Sequence, residues 1–222
     1  MKSALFVTAI TAAASAASAQ VVFSNNFEGA MPAEVSGAGS IVGSQGFGAY
    51  GFGNNLLQND ATGNPATATT LTINGLPTHT ALNIGFLLAV IDSWDSTNGS
   101  PAPDFFNVDV DGVNVFQATF AQASGGVEYA FPAGGQLFNN INVGFGGYNE
   151  DGYDMSLEPA LQNIAHTGSS VVITFYASGA GWQGSSDESF GIDNLVVTAV
   201  PTPGAAAVLS LGGLALSRRR RA

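Results

Sequence analysis

The sequence predicts an all-β protein, an antiparallel β-sandwich of jelly-roll type. Three observations predict it. Short runs of β-branched and aromatic residues recur through residues 20–200, and clusters of Gly, Asn, Asp and Ser separate them. The 222 residues include 29 glycines and 15 phenylalanines with only 9% charged residues, a mixture that favours short strands and turns over helices. Only residues 155–165, MSLEPALQNIA, read as helical, and then for a turn rather than a helix. Residues 20–200 are enough for one domain with its own core.

Residues 1–19 open the chain with one lysine, an apolar stretch and the small-residue run Ala17-Ser18-Ala19. That pattern reads as a secretory signal peptide, with Gln20 first in the mature protein. VVFSNNF (21–27) is the first strand. Residues 29–66 are rich in Gly, Ala, Ser and Asn, which predicts loops, at most one or two short strands, and little core. TATTLTI (67–73) ends at the turn pair Asn74-Gly75, and ALNIGFLLAVI (81–91) has the unbroken apolar character of a central strand. VEYAF (127–131), INVGFG (141–146), SVVITFYA (170–177) and FGIDNLVVTAV (190–200) complete the later strands.

FFNVDV (105–110) and VNVFQATF (113–120) flank Asp111-Gly112, a two-residue hairpin signal. Such a loop pairs Val110 with Val113 and Val108 with Val115, all on one face. The same residues, Asn107, Asp109, Asp111 and Gly112, also match the first half of an EF-hand loop. The position that needs a bidentate Glu is Ala118, so the hairpin reading prevails.

Charge is distributed unusually. Lys2 and Arg218, Arg219, Arg220 and Arg221 are the only basic residues besides two histidines, while all sixteen Asp and Glu residues lie between them. Residues 3–217 therefore cannot form a Lys or Arg salt bridge, and they repel nucleic acid. Two readings account for the acid excess: a saline habitat that screens repulsion, and Ca²⁺ held by carboxylates. In a jelly roll the first and last strands lie side by side, so Glu28 and Asp193 can meet and form a structural calcium site. Asp92, Asp95 and Asp104 flank Trp94 and form a second candidate group. Glu150, Asp151 and Asp154 read as a solvated acidic loop.

Catalytic signatures are absent. There is no cysteine, GxSxG elbow, Walker loop or HExxH, and His79 and His166 stand apart in Thr-rich sequence. No catalytic residue is assigned and the chain reads as a non-enzyme. Export without cysteine suits a bacterial surface protein. Trp94 and Trp182 lie in Gly-, Ser- and Asp-rich loops. They read either as exposed platforms for sugar stacking or as plugs at the end of the sandwich.

The segment 201–222 joins Pro201-Thr202-Pro203-Gly204, an uncharged run at 205–217 and the four arginines. As a helix that run rises about 20 Å, which the snorkelling arginines extend toward a ~30 Å hydrocarbon core with their charges in the cytoplasm. This tail resembles the PEP-CTERM sorting signal of Gram-negative bacteria, with Thr202 where the family motif has Glu. The resemblance implies a short transmembrane helix, an exosortase-like processing enzyme and delivery to the cell envelope, surface or extracellular matrix. The core resembles jelly-roll domains of the MAM and carbohydrate-binding kinds. Phe27-Glu28-Gly29, Asp92-Ser93-Trp94-Asp95, Pro103-Asp104-Phe105-Phe106 and the run from Asp187 to Asn194 carry that likeness. It implies the fold and a calcium site. Two functions follow: a non-enzymatic structural surface protein sorted by its tail, or a carbohydrate-binding module for extracellular polysaccharide.

Overall fold

The computed structural model describes residues 18–97, 100–121 and 130–201. The expected leader lies outside these residues except for Ser18 and Ala19. The expected tail and its short transmembrane helix lie outside them except for Pro201. Among the described residues no helix is long and apolar enough to cross a membrane.

Two antiparallel sheets form the sandwich. One runs β3 (Ser40–Gly43), β4 (Asn55–Asn59), β13 (Glu188–Val200), β6 (Ala81–Asp92), β10 (Glu150–Asp154) and β9 (Gln136–Ile141). On its flanks β1 (Gln20–Asn25) pairs with β13, and β11 (Ile164–Ala165) pairs with β6. The other sheet runs β2 (Val35–Gly37), β5 (Thr69–Asn74), β12 (Ser170–Ser178), β7 (Phe105–Val110) and β8 (Val113–Ala118). The chain crosses repeatedly between sheets, and β1 lies beside β13 with Asn25 opposite Leu195. The two ends of the domain therefore meet, as the sequence predicts.

The core follows from strand periodicity. Leu82, Ile84, Phe86, Leu88 and Val90 of β6 face the opposite sheet, where Val108, Val110, Ile173 and Phe175 meet them. The alternate residues Ala89 and Ile91 pack on the outer face with Phe47, Phe52, Leu56 and Phe138. A strand covered on both faces needs apolar residues at both parities, which is why 81–91 reads as an unbroken run.

That outer cover corrects the expectation for residues 29–66. The segment contributes three strands and a 3-10 turn at Gln45–Tyr50, and buries Phe47, Phe52, Leu56 and Leu57. Each such side chain stabilises the fold by about 1.5–3 kcal/mol. A low average hydrophobicity concealed four well-placed anchors.

The hairpin pairs Val110 with Val113, but the register shifts between Val108 and Asp109, so Phe116 rather than Val115 opposes Val108. The four valines do not share a buried face: Val113 is 65% exposed, whereas Phe116 is buried. The bulge brings the larger apolar surface inward. Asp111 and Gly112 take φ of +50° and +78°, as a tight two-residue turn requires.

Residues 142–146 are not a strand; β9 ends at Ile141. Their amides turn toward a carboxylate instead, since the N–H groups of Val143 and Phe145 donate to Glu150 at 2.7 and 3.2 Å. Of the expected strand 127–131, residues 127–129 lie outside the described residues, and 130–131 are not in a strand. The helical turn expected near 155–165 is two 3-10 turns, Met155–Leu157 and Pro159–Leu161, capped by the side chains of Asp154 and Glu158.

Candidate functional site

Glu28 and Asp193 converge on Gly53. A Cβ there would overlap Glu28 Oε1 and would lie in ordinary contact, at 3.5 Å, with Asp193 Oδ2, so the Glu28 carboxylate occupies the space that glycine leaves. Asp193 is buried, and its oxygens accept from the N–H groups of Gly53 at 2.7 Å and Asn194 at 2.6 Å. Burial holds its carboxyl above the ordinary range, and the charge of Glu28 adds to the effect. Glu28 is exposed rather than enclosed in an apolar pattern, which corrects the expectation for it. It accepts from Asn55 N at 3.0 Å and from the side-chain amides of Asn54 and Asn55 at 3.2 and 3.3 Å. The Asn55 N–H, foremost among these, holds its carboxyl below the ordinary range.

The group Asp92, Asp95 and Asp104 divides. Asp95 and Asp104 come together with Glu188, their nearest oxygens all within 4.8 Å of one another. Burial pushes the Asp104 carboxyl up to about 6 and that of Glu188 up to about 8. Asp92 faces away from this cluster. Its Oδ1 accepts from Tyr148 N at 3.0 Å, and its Oδ2 occupies the space a Cβ on Gly146 would need. Sequence reasoning missed Glu188. Its place in the cluster follows from the pairing of Glu188, at the start of the last strand, with Asp92 at the end of β6, a register that local sequence does not reveal.

Glu150 and Asp151 are not a solvated loop. Both are buried on β10, and Asp151 accepts from Asn140 N at 2.6 Å and from the Tyr153 hydroxyl at 2.8 Å. Asp154 is half-buried and caps the following turn through Ser156 N. The histidines are not apart either. His79 Nε2 lies 2.6 Å from His166 Nδ1, and His166 Nε2 lies 3.2 Å from Asp111 Oδ2. A turn before β6, the residue after β11 and the hairpin tip are joined in this way.

Trp94 and Trp182 form an edge-to-face pair with centroids 5.1 Å apart. Both are buried, with indole N–H groups donating to Ser189 O at 2.8 Å and Ala61 O at 2.9 Å. They do not form an exposed stacking platform, so the sugar-stacking expectation is corrected at both residues. They close the end of the core.

A groove of about 390 Å³ opens instead beside Tyr50, lined also by Leu87, Leu137, Asp154, Ser156 and Asn194. Tyr50 leans on Phe138 with centroids 4.0 Å apart. Its position follows from the 3-10 turn at Gln45–Tyr50, which Phe47 pins to the outer face of the sheet. A second depression, about 310 Å³ beside Glu34 and Thr72, has no aromatic lining residue.

No protein-family model matches the chain, and no curated protein does. Solved structures resemble it in architecture. The CBM22-1 xylan-binding domain of Paenibacillus barcinonensis Xyn10C aligns with a TM-score of 0.43 and 10% identity, over 85% of this chain and 99% of that one. TmCBM61 in complex with β-1,4-galactotriose gives 0.40 and 10%, over 79% and 94%. The K2 cleaved adhesin domain of Lys-gingipain gives 0.37 and 13%, over 79% and 96%. Scores and identities this low leave function to be argued from the chain's own residues.

Proposed function

We propose that the chain is a non-catalytic binding domain of an exported envelope protein, and that it takes an extracellular polysaccharide in the groove beside Tyr50. One observation carries this reading. The groove sets an aromatic ring beside a carboxylate, a hydroxyl and an amide, with Leu87 and Leu137 as apolar lining. A sugar ring offers the matching surface: an apolar C–H face for Tyr50 and a rim of hydroxyls for Asp154, Ser156 and Asn194. Affinity electrophoresis against a panel of soluble polysaccharides tests it. Tyr50→Ala and Asn194→Ala should each weaken retention about tenfold, equivalent to about 1.4 kcal/mol, without unfolding the domain. Equal retention of wild type and both variants on every polysaccharide, or none at all, overturns the reading.

The tail supports where the domain is displayed. Its order, Pro201 to Gly204, then an apolar run, then Arg218 to Arg221, supports membrane insertion followed by exosortase-like processing at the envelope. Mass spectrometry of the mature protein should show loss of Met1 to Ala19 and of residues beyond about Pro203. Freely secreted protein that keeps its arginines counts against sorting.

Calcium belongs to this proposal as a structural ion. The convergence of Glu28 and Asp193 over Gly53 supports a shared ion that ties the segment after the first strand to the last strand.

A further inference from the structure

We propose that Asp104, Glu188 and Asp95 hold a second divalent cation, calcium by preference, at the end of the sandwich that the two indoles close. Three elements converge there. Asp95 follows β6, Asp104 precedes β7, and Glu188 opens β13. Acidic groups gathered in one place are not in themselves a site. Here two of the oxygens are buried and bare. Asp104 Oδ1 and Glu188 Oε1 accept no hydrogen bond among the described residues, although the two residues are 0% and 1% exposed.

Each of these carboxylates is pinned through its other oxygen. The Asp95 N–H donates to Asp104 Oδ2 at 2.5 Å, and the Gln183 N–H donates to Glu188 Oε2 at 2.9 Å. Backbone amides thus fix the orientation of both groups and leave one oxygen of each unused. Gly181 keeps the adjoining space open, because a Cβ there would lie 2.4 Å from Asp104 Oδ1. Asp95 is half-buried and gives the cluster a path to solvent.

Among the described residues no Lys or Arg supplies the missing positive charge. No Lys or Arg occurs between residues 3 and 217, and His166, the ring partner of His79, meets Asp111 beyond the opposite end of β7. Bare buried carboxylates facing each other are costly. One proton shared by Asp104 and Glu188 would cover their mutual contact, yet leave the charges of Asp95 and the nearby Asp187 unbalanced. A divalent ion offsets two charges and engages all three oxygens. An all-oxygen donor set suits calcium or magnesium rather than zinc or copper. Magnesium keeps several waters, so an enclosed pocket with three protein carboxylates selects calcium.

The neighbouring tryptophans supply a local readout. Trp94 precedes Asp95 and Trp182 follows Gly181 in the chain, so a terbium ion in this site is excited through indole. The chelator-stripped protein should show tryptophan-sensitised terbium emission that calcium displaces more effectively than magnesium. Glu188→Gln and Asp95→Asn should each weaken terbium and calcium binding about tenfold or more. Asp95→Asn, at a half-buried position, keeps the test open should Glu188→Gln not fold. Glu28→Gln should leave the indole-sensitised signal unchanged, which separates this ion from one held by Glu28 and Asp193. Absence of sensitised emission, or emission unchanged in both variants, overturns the proposal. So does a Glu188→Gln protein whose melting temperature rises equally with and without calcium, the mark of a shared proton.

Discussion

Trp94 and Trp182 meet edge to face with centroids 5.1 Å apart, and each indole N–H reaches a backbone carbonyl of another segment. The pair therefore ties the loop after β6 to the chain around Ala61 and to β13. Trp94→Ala should destabilise the domain by about 3–5 kcal/mol, the range for deleting a large buried aromatic. Urea unfolding followed by far-UV circular dichroism measures it. A loss below about 1 kcal/mol would place the indole outside the core.

Calcium should raise the melting temperature through Glu28 and Asp193. At a calcium concentration ten times the dissociation constant, mass action adds about 1.4 kcal/mol. For a domain of this size that corresponds to about 3–6 °C. Glu28→Gln should remove most of the gain, while Glu34→Gln, on an exposed acid elsewhere, should not. Calorimetry with calcium and with chelator at matched ionic strength decides. Identical curves for the wild type would sink the Glu28–Asp193 ion.

Stability in chelator should fall as pH rises, against the usual behaviour of acidic proteins. Burial holds the carboxyls of Asp104, Glu150, Glu188 and Asp193 above the ordinary range, whereas the exposed Glu28 is held below it. The folded chain keeps protons that the unfolded chain has released. The resulting stabilisation is complete below about pH 4 and is lost as pH climbs through the folded values, the highest about 8 at Glu188. Melting temperatures between about pH 5 and 8 should therefore decline. A rising or flat profile would contradict the burial of these groups.

Asp151 should be structural. Replacement by Asn sets an amide where Asn140 N–H and the Tyr153 hydroxyl now donate to a carboxylate. The expected cost is about 1–3 kcal/mol, since a buried donor loses its acceptor. Calcium affinity should not change. Equal stability of wild type and Asp151→Asn would show that the carboxylate is solvated after all.

The sandwich was legible where periodicity alone determines structure. The runs at 81–91, 170–177 and 190–200 became β6, β12 and β13 because alternation and β-branching act locally. What was not legible depended on distant partners. Phe47 and Phe52 stand among glycines, and their burial against Ile91 and Phe138 has no local trace. The amides of Val143 and Phe145 left the expected strand for Glu150, a competition that hydrophobic patterning does not register. For the site, the meeting of Glu28 and Asp193 followed from topology. The join of Asp95 and Asp104 to Glu188 required knowing that β13 runs beside β6 as far as Asp92.

The position of β13 has a mechanical consequence. It spans Glu188–Val200 and leads directly into Pro201. It is paired with β6 from Glu188 to Asp193 and again from Val196 to Val200, with β4 from Phe190 to Ile192, and with β1 from Leu195 to Ala199. A pull applied beyond Pro201 runs along this strand, parallel to its axis. Such a load shears the flanking ladders together instead of unzipping one hydrogen bond at a time. A domain tethered by its tail and drawn by flowing fluid would thus meet the force on its most extensively bonded strand.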